Sequence, residues 1–119
     1  MKTLVSENDV KVVVKKWYDE KQGWHWAPVS NGMGVHGIAD RVGCIPLTVT
    51  PAMVGKRIGI FVSVESKRPG RRNEQDRGLK KHQKLVMDAI RAASGISICC
   101  DGYEDLAELD RELLKLTTV

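Results

Sequence analysis

Apolar and polar residues alternate along residues 58–67, IGIFVSVESK, which is the pattern of a β-strand with one face in a protein core. Glu65 and Lys67 are two positions apart, so they fall on the same face at the end of this strand. The strand would therefore hold a carboxylate and an ammonium group side by side at one edge of a sheet. One face carries Ile58, Ile60, Val62 and Val64, and the other carries Phe61, Ser63, Glu65 and Lys67.

Apolar residues at helical spacing predict three helices. The first begins after Ser6, a plausible N-cap, and runs to about residue 21. The second covers about residues 79–93 and ends at Ser94-Gly95, and the third covers about residues 103–116. Asp101 is a candidate N-cap for the third helix.

Three further segments have the composition of strands. They are WHWAPV at residues 24–29, the segment at about 38–49, and ISICC at residues 96–100. With the strand at about 57–66 they give the element order α-β-β-β-α-β-α. This order predicts an α/β fold, in which one small mixed β-sheet is flanked by helices, in a single domain covering residues 1–119.

The composition is that of a globular protein. Apolar residues make up 42% and charged residues 29% of the 119 residues, no run is long enough to span a bilayer, and the first residues do not form a signal sequence. We therefore expect a cytoplasmic protein with no membrane association. The three cysteines, two of them adjacent at Cys99 and Cys100, favour buried thiols over a disulfide framework or a metal site.

Positive charge is concentrated between Lys67 and Lys84. This segment holds eight basic residues against Glu74 and Asp76, a net charge of +6, whereas the whole chain carries +4. A positive patch beside the strand end indicates a polyanionic partner. A solvated loop and helix face would explain the same charges, so charge alone leaves both interpretations open.

Two carboxylates are candidate ligands for a metal ion. Asp40 follows the glycine-rich stretch GMGVHG, and Glu65 ends the alternating strand. Two carboxylates can hold a hard divalent cation, and a nearby lysine such as Lys67 can orient water or neutralise charge on a phosphate. His36, in the glycine-rich stretch, is a candidate general base or DNA contact, although a histidine with a structural role in the loop is favoured.

Two helices carry a polar residue beside their apolar stripe. Gln83 lies along the stripe of the second helix, and Glu7 precedes Val10 and Trp17 at the same spacing in the first. A buried amide needs a polar partner, which slightly favours a functional position for Gln83. For Glu7, compensation of the helix dipole in the first turn is the favoured explanation.

Four segments of the chain, in this order, resemble the VRR-NUC family, the virus-type replication and repair nucleases of the PD-(D/E)XK superfamily. The resemblance covers about residues 7–106 and implies a restriction-endonuclease-like core. The matching segments are GVHGIAD, FVSVESK, HQKLVMDAIRAASGISICC and GYEDL.

The resemblance also implies roles for single residues. Mg²⁺ or Mn²⁺ would be the cofactor, Lys67 the catalytic lysine and Gln83 the motif glutamine. Gln75 is a rival for the glutamine, and Asp9 competes with Glu7 as the acidic residue of the first helix. The implied metal ligands are Asp40, Glu65, the backbone carbonyl of Ser66 and, with less support, Glu7.

One segment departs from the family pattern. The stretch between Lys67 and Gln83 is longer than usual in the family and rich in arginine, so contacts with DNA there would differ. The predicted DNA-binding residues are Arg68, Arg71, Arg72, Arg77, Lys80, Lys81 and Lys84.

The family resemblance implies a DNA endonuclease of a phage or a bacterium that cuts branched DNA such as a four-way (Holliday) junction, in replication, repair or recombination. It also implies a homodimer, in which two sites could cut two strands of one junction. The alternatives are a nuclease for flaps or nicked duplex and a DNA-binding protein without catalysis. The third helix is a candidate dimer surface through Leu106, Leu109, Leu113 and Leu114, although packing on its own sheet is at least as good an explanation.

Overall fold

The computed structural model describes residues 3–29 and 41–117. The chain divides into two compact units, Met1–Ile58 and Gly59–Val119. Asp40, a predicted metal ligand, and His36, for which a structural role was favoured over a functional one, lie outside the described residues. Within the described residues, no helix has the length and apolar character needed to cross a membrane.

The first unit begins with helix α1, Glu7–Glu20, which starts at a capping box. The backbone N–H of Asp9 donates to Ser6 Oγ at 3.1 Å, and the N–H of Ser6 donates back to Asp9 Oδ2 at 3.2 Å. Each interaction satisfies a backbone donor that the helix itself leaves without a partner. The predicted N-cap at Ser6 is confirmed, and the carboxylate of Asp9 is part of this cap.

A short antiparallel sheet follows, in which strand β1, Trp24–Trp26, pairs with β2, Val42–Cys44. His25 is a structural residue here, because its ring stacks on Tyr18 and its Nε2 lies 2.7 Å from Asp19 Oδ1. Its Nδ1 lies 2.8 Å from Arg41 Nη1. β2 ends earlier than the predicted 38–49 because Pro46 follows closely, and proline has no N–H for a ladder.

The second unit is a β-α-β arrangement with a closing helix. Strand β3, Val62–Ser66, runs parallel to β4, Ile96–Cys100, and helix α2, Lys81–Ala92, connects them. Helix α3, Tyr103–Lys115, follows β4. β3 is shorter than the predicted 57–66 because β4 offers only five residues for pairing, from Ile96 onward.

α2 supplies the core of this second unit. Ile90 is 2% exposed, and Met87 on the same helix and Ala93 just after it are also buried. From β4, Ser97 and Cys99 are buried on alternate positions, as expected for a strand covered on one face. The helix packs against β4, and this packing fixes where its first turn lies relative to the end of β3.

The predicted α/β class and the element order α-β-β-β-α-β-α are confirmed. The described strands form two two-stranded sheets, not the single mixed sheet expected. Two boundaries also differ from the prediction. α2 begins at Lys81 because Leu79 is extended, and α3 follows Gly102 with no side-chain cap, so Asp101 is not its N-cap.

Removing side-chain volume at Ile90 should destabilise the protein. Ile90→Ala deletes a buried side chain and leaves a cavity, so we expect a loss of about 2–5 kcal/mol in the free energy of unfolding. Urea denaturation followed by circular dichroism measures it. Leu85→Ala on the same helix is the control, because Leu85 is 59% exposed and should cost much less. Equal losses for the two variants would contradict this packing.

Candidate active site

Three of the predicted site residues meet at the carboxyl end of β3. Gln83 Nε2 donates to Glu65 Oε1 at 2.7 Å, and Lys67 Nζ donates to Gln83 Oε1 at 3.1 Å. Lys67 Nζ also lies 3.7 Å from Glu65 Oε1. The carboxylate, the ammonium group and the amide thus form a closed triangle, named here the E-K-Q triangle.

Strand geometry places the first two members of the triangle. Glu65 and Lys67 share a face of β3, as the alternation predicted, and Glu65 pairs in register with Cys99 of β4. The backbone N–H of Lys67 donates to the carbonyl of Cys100 at 2.8 Å, which continues the ladder one residue past the strand. Lys67 therefore leaves the sheet from a fixed backbone.

Gln83 belongs to both the helix start and the triangle. Its Oε1 accepts the backbone N–H of Lys80 at 2.8 Å, one of the donors that the first turn of a helix leaves unsatisfied. Because Oε1 accepts from Lys80 and Lys67, Nε2 is the atom left to face Glu65. The hydrogen bonds thus define the orientation of the amide.

The triangle is partly shielded from solvent. The side chain of Lys67 is 13% exposed and that of Glu65 is 37% exposed. A confined cation can bind an anionic oxygen with less loss of side-chain freedom than a surface lysine, and the exposed part of Glu65 can reach a ligand. Ligands also bind preferentially at the carboxyl ends of parallel strands, where these residues lie.

The other predicted site residues are placed differently. Glu7 lies on α1 with its side chain 79% exposed and an oxygen 4.0 Å from Lys11 Nζ. Gln75, the rival of Gln83, lies in the 3₁₀ turn Gln75–Gly78. Ser66 is exposed on β3 between the two charged members of the triangle. Among residues 3–29 and 41–117, no group of three or more His, Cys, Asp or Glu side chains forms a metal site.

A second ionic group lies at the end of β4, and sequence reasoning did not find it. The side chain of Asp101 is 1% exposed, and its Oδ1 accepts from Arg72 Nη2 at 2.7 Å and from Arg77 Nη2 at 3.1 Å. Asp105 Oδ2 accepts from the same two nitrogens at 2.8 and 2.9 Å. Arg72 Nη1 also donates to Glu104. We name these five residues the arginine–aspartate cluster.

The cluster shifts the proton affinity of its members. Hydrogen bonds from the side chain of Arg72 hold the pKa of Asp101 well below its usual range. The reciprocal bond raises the pKa of Arg72, and the hydrogen bond to Asp105 raises the pKa of Arg77. Each of these three shifts favours the charged form, so Asp101, Arg72 and Arg77 are ionised at neutral pH.

The cluster changes the interpretation of the basic segment. Five of the seven predicted DNA-binding residues have a carboxylate partner within ion-pair distance. Arg68 has the longest of these contacts, with its Nη2 3.9 Å from Glu74 Oε2. Besides the two cluster arginines, Arg71 Nε lies 2.6 Å from Glu74 Oε2, and Lys84 Nζ lies 2.8 Å from Asp76 Oδ2. Arg68, Lys80 and Lys81 are exposed. The positive field is therefore weaker than the sequence count of charges suggests.

A groove of about 340 Å³ lies beside the arginine–aspartate cluster, lined by Arg77, Asp105 and further residues of α2, β4 and α3, with Leu79. Its lining includes Cys99 and Met87, and both side chains are buried. Burial raises the pKa of the Cys99 thiol, which keeps it protonated at neutral pH. Cys99 is thus a buried thiol, as the sequence predicted.

One sequence signal could have revealed the cluster. Asp101 directly follows an apolar strand, and an arginine-rich segment follows the strand that pairs with it in parallel. The carboxyl ends of paired parallel strands meet at one edge, so opposite charges there should meet as well. We interpreted Asp101 as a helix cap, which is the more common role of an aspartate before a helix.

The lowered pKa of Asp101 predicts a pH dependence of stability. A carboxyl group whose pKa is lower in the folded than in the unfolded protein stabilises the fold. The stabilisation is complete at pH values above the pKa of the unfolded state, for which 3.8 is the ordinary value. This stabilisation is lost as the pH falls below that value toward the folded pKa. Asp101→Asn should therefore lower the urea midpoint at neutral pH, with a difference from wild type that shrinks below about pH 4.

The matched control for this prediction is Asp110→Asn. Asp110 is an exposed residue on the following helix, α3. Its replacement should give a urea midpoint close to that of wild type at each pH between about 7 and about 3. A constant difference between wild type and Asp101→Asn over the whole pH range would contradict an ionised, paired Asp101.

Comparison with known proteins identifies no relative of this chain. No protein-family model, no curated protein and no solved structure matches the chain. The resemblance to the VRR-NUC family therefore stays a prediction that rests on the four sequence segments and their order.

Proposed function

We propose that the protein is a metal-dependent endonuclease that hydrolyses phosphodiester bonds in DNA, with a PD-(D/E)XK core. The observation that carries the proposal is the E-K-Q triangle. The carboxylate of Glu65 and the ammonium group of Lys67 at the carboxyl end of β3 meet the amide of Gln83 from α2. These are three of the five catalytic residues that the sequence predicts.

A purely structural role for the triangle explains less. A surface ion pair between Glu65 and Lys67 would stabilise the protein little, and it does not require Gln83. Gln83 would cap its helix equally well through Lys80 alone. The geometry instead uses all the polar atoms of one amide to hold a carboxylate and an ammonium group beside each other, which favours a site in which both charges act on a ligand.

The donor set suits a hard divalent cation. Mg²⁺ and Mn²⁺ prefer oxygen ligands, and the described residues supply the carboxylate of Glu65 and the nearby backbone of Ser66. The family resemblance alone adds Asp40 and, with less support, Glu7 to the proposed ligands. When bound, the cation supplies charge neutralisation on a phosphate and a more acidic water molecule.

Lys67 would act directly on the substrate. Its ammonium group can donate a hydrogen bond to a non-bridging phosphate oxygen or orient the attacking water, and both actions stabilise the negative charge that builds up during hydrolysis. Gln83 would hold Lys67 in place through the 3.1 Å bond to Oε1. Positioning and charge stabilisation are the main tasks of a protein in phosphoryl-group chemistry.

DNA contacts would come from the exposed cations beside the triangle. Arg68 directly follows Lys67, and Lys80 and Lys81 lie at the start of α2, next to Gln83. Lys84 and Arg71 are secondary candidates because they already pair with Asp76 and Glu74. Contacts of this kind bind phosphates without reading base sequence.

Branched DNA cut by a homodimer is the proposed substrate and assembly, on the basis of the family resemblance. A nuclease for flaps or nicked duplex would use the same chemistry. A DNA-binding protein without catalysis is less well supported, because a carboxylate such as Glu65 repels phosphate unless a metal ion lies between them.

Cleavage of labelled DNA tests the proposal. Wild type with Mg²⁺ or Mn²⁺ should cut a four-way junction in preference to linear duplex or single strand, and EDTA should stop it. Lys67→Ala should lower the rate about a hundredfold or more, because the charge of the transition state loses a partner. The control is Lys115→Ala, which removes an exposed lysine of the same unit.

The outcomes separate the alternatives. Preferred cutting of flaps or nicks would keep the chemistry and reject the junction. Tight DNA binding by wild type with no cleavage under either metal ion would support the binding protein.

Metal binding gives a test that does not need the right DNA substrate. Mn²⁺ titrated into wild type in a calorimeter should show a binding event, and Glu65→Gln should weaken the affinity at least about tenfold because a charged ligand is lost. The control is Glu112→Gln, because Glu112 is a half-exposed carboxylate on α3 that pairs with Lys115. Equal Mn²⁺ affinity in wild type and Glu65→Gln would contradict a metal site at Glu65.

A further inference from the structure

We propose that Arg77 and Asp101 are positioning residues: the arginine–aspartate cluster holds a strained turn from which α2 starts, and this keeps Gln83 on Glu65 and Lys67. The effect on DNA cleavage rests on the proposed function. The effect on Gln83 does not, because it follows from the contacts alone.

The strain lies in three consecutive residues before α2. Asp76 has φ 52° and ψ 23°, Arg77 has φ 55° and ψ 28°, and Gly78 has φ 74°. All three are in the left-handed region, which is unfavourable for residues with a Cβ, and a run of such residues is rare. Glycine fits at the third position, but an aspartate and an arginine need compensation from their surroundings.

The cluster supplies that compensation. Arg77 Nη2 donates to Asp101 Oδ1 and Asp105 Oδ2 at 3.1 and 2.9 Å, so the left-handed backbone is also the one from which this side chain reaches both carboxylates. Arg72 anchors the earlier part of the segment, because its backbone N–H donates to Asp101 Oδ2 at 2.8 Å. The buried carboxylate of Asp101 thus binds both 3₁₀ turns between β3 and α2, which are Arg71–Asn73 and Gln75–Gly78.

The turn is connected to the E-K-Q triangle in two ways. Lys80, two residues after Gly78, donates its backbone N–H to Gln83 Oε1 at 2.8 Å. Asp76, in the turn itself, accepts from Lys84 Nζ at 2.8 Å, which holds the turn against the first part of α2. Relaxation of the turn would move the Lys80 N–H away from Gln83, and the amide would lose one of the bonds that orient it.

The opposite side of the cluster is connected to Lys67. Asp101 directly follows Cys100, whose carbonyl accepts the backbone N–H of Lys67 at 2.8 Å. The cluster is therefore connected to both ends of the segment that joins Lys67 to Gln83. It constrains the distance between these two side chains from outside the triangle, without contacting a substrate.

This role differs from phosphate binding by the same arginines. If Arg72 and Arg77 bind phosphate, removal of a competing carboxylate in Asp101→Asn should increase the affinity for DNA. If they position Gln83, Asp101→Asn should lower kcat at least about tenfold while the DNA dissociation constant changes little. Tighter DNA binding with unchanged kcat would overturn the proposal.

Amide hydrogen exchange measured by NMR tests the positioning directly. The readout is the ratio of exchange rates of the Lys80 amide, which donates to Gln83, and the Ile96 amide, which donates to the carbonyl of Phe61 in the sheet. A loss of stability of the whole unit raises both exchange rates, so it leaves their ratio nearly unchanged. Arg77→Ala, which removes the guanidinium group and keeps the strain, should raise this ratio about tenfold or more.

A matched pair of variants separates strain from charge. Arg77→Gly also removes the guanidinium group but tolerates the left-handed backbone, so its ratio should rise less than that of Arg77→Ala. Arg111→Ala is the control, because Arg111 is an exposed arginine on α3 that pairs with Glu108. If Asp101→Asn does not fold, the exchange ratios of the two Arg77 variants test the positioning role.

The outcomes for the proposal and for the function are distinct. An unchanged exchange ratio in Arg77→Ala would overturn the positioning role, whatever the cleavage assay shows. A raised ratio in a protein whose wild type does not cleave DNA would keep the positioning role and reject the nuclease.

Discussion

The side-chain amide of Gln83 joins the start of α2 to the end of β3. Its oxygen accepts from the backbone of Lys80 and from Lys67, and its nitrogen donates to Glu65. The same amide therefore starts a helix, orients an ammonium group and holds a carboxylate. Without it, the geometry of the proposed active site would depend on a single ion pair of 3.7 Å, which is too weak to fix two side chains.

The basic side chains between Lys67 and Lys84 fall into two groups. Arg72 and Arg77 turn toward Asp101 and Asp105 and shape the segment, whereas Arg68, Lys80 and Lys81 are exposed beside the triangle. Many like charges in one segment repel each other. Because carboxylates neutralise some of the arginines, the segment can fold compactly next to the site.

The sequence predicted those features that depend on local pattern. Alternation placed Glu65 and Lys67 on one face, and helical spacing placed Gln83 inward, and all three meet in the structure. The arginine–aspartate cluster was not predicted, because its ion pairs join residues about 30 positions apart and no local pattern encodes them. Strand lengths were overestimated for the same reason, since a strand extends only as far as its partner does.

The central claim is that the E-K-Q triangle acts as one catalytic unit on DNA, and a double-mutant cycle of Lys67→Ala and Gln83→Ala tests it most directly. Single-turnover cleavage of a four-way junction with Mg²⁺ or Mn²⁺ would be measured for wild type, both single variants and the double variant. If Gln83 acts through Lys67, the double variant should be no slower than Lys67→Ala alone. Fully additive losses, or no cleavage by wild type, would contradict the claim.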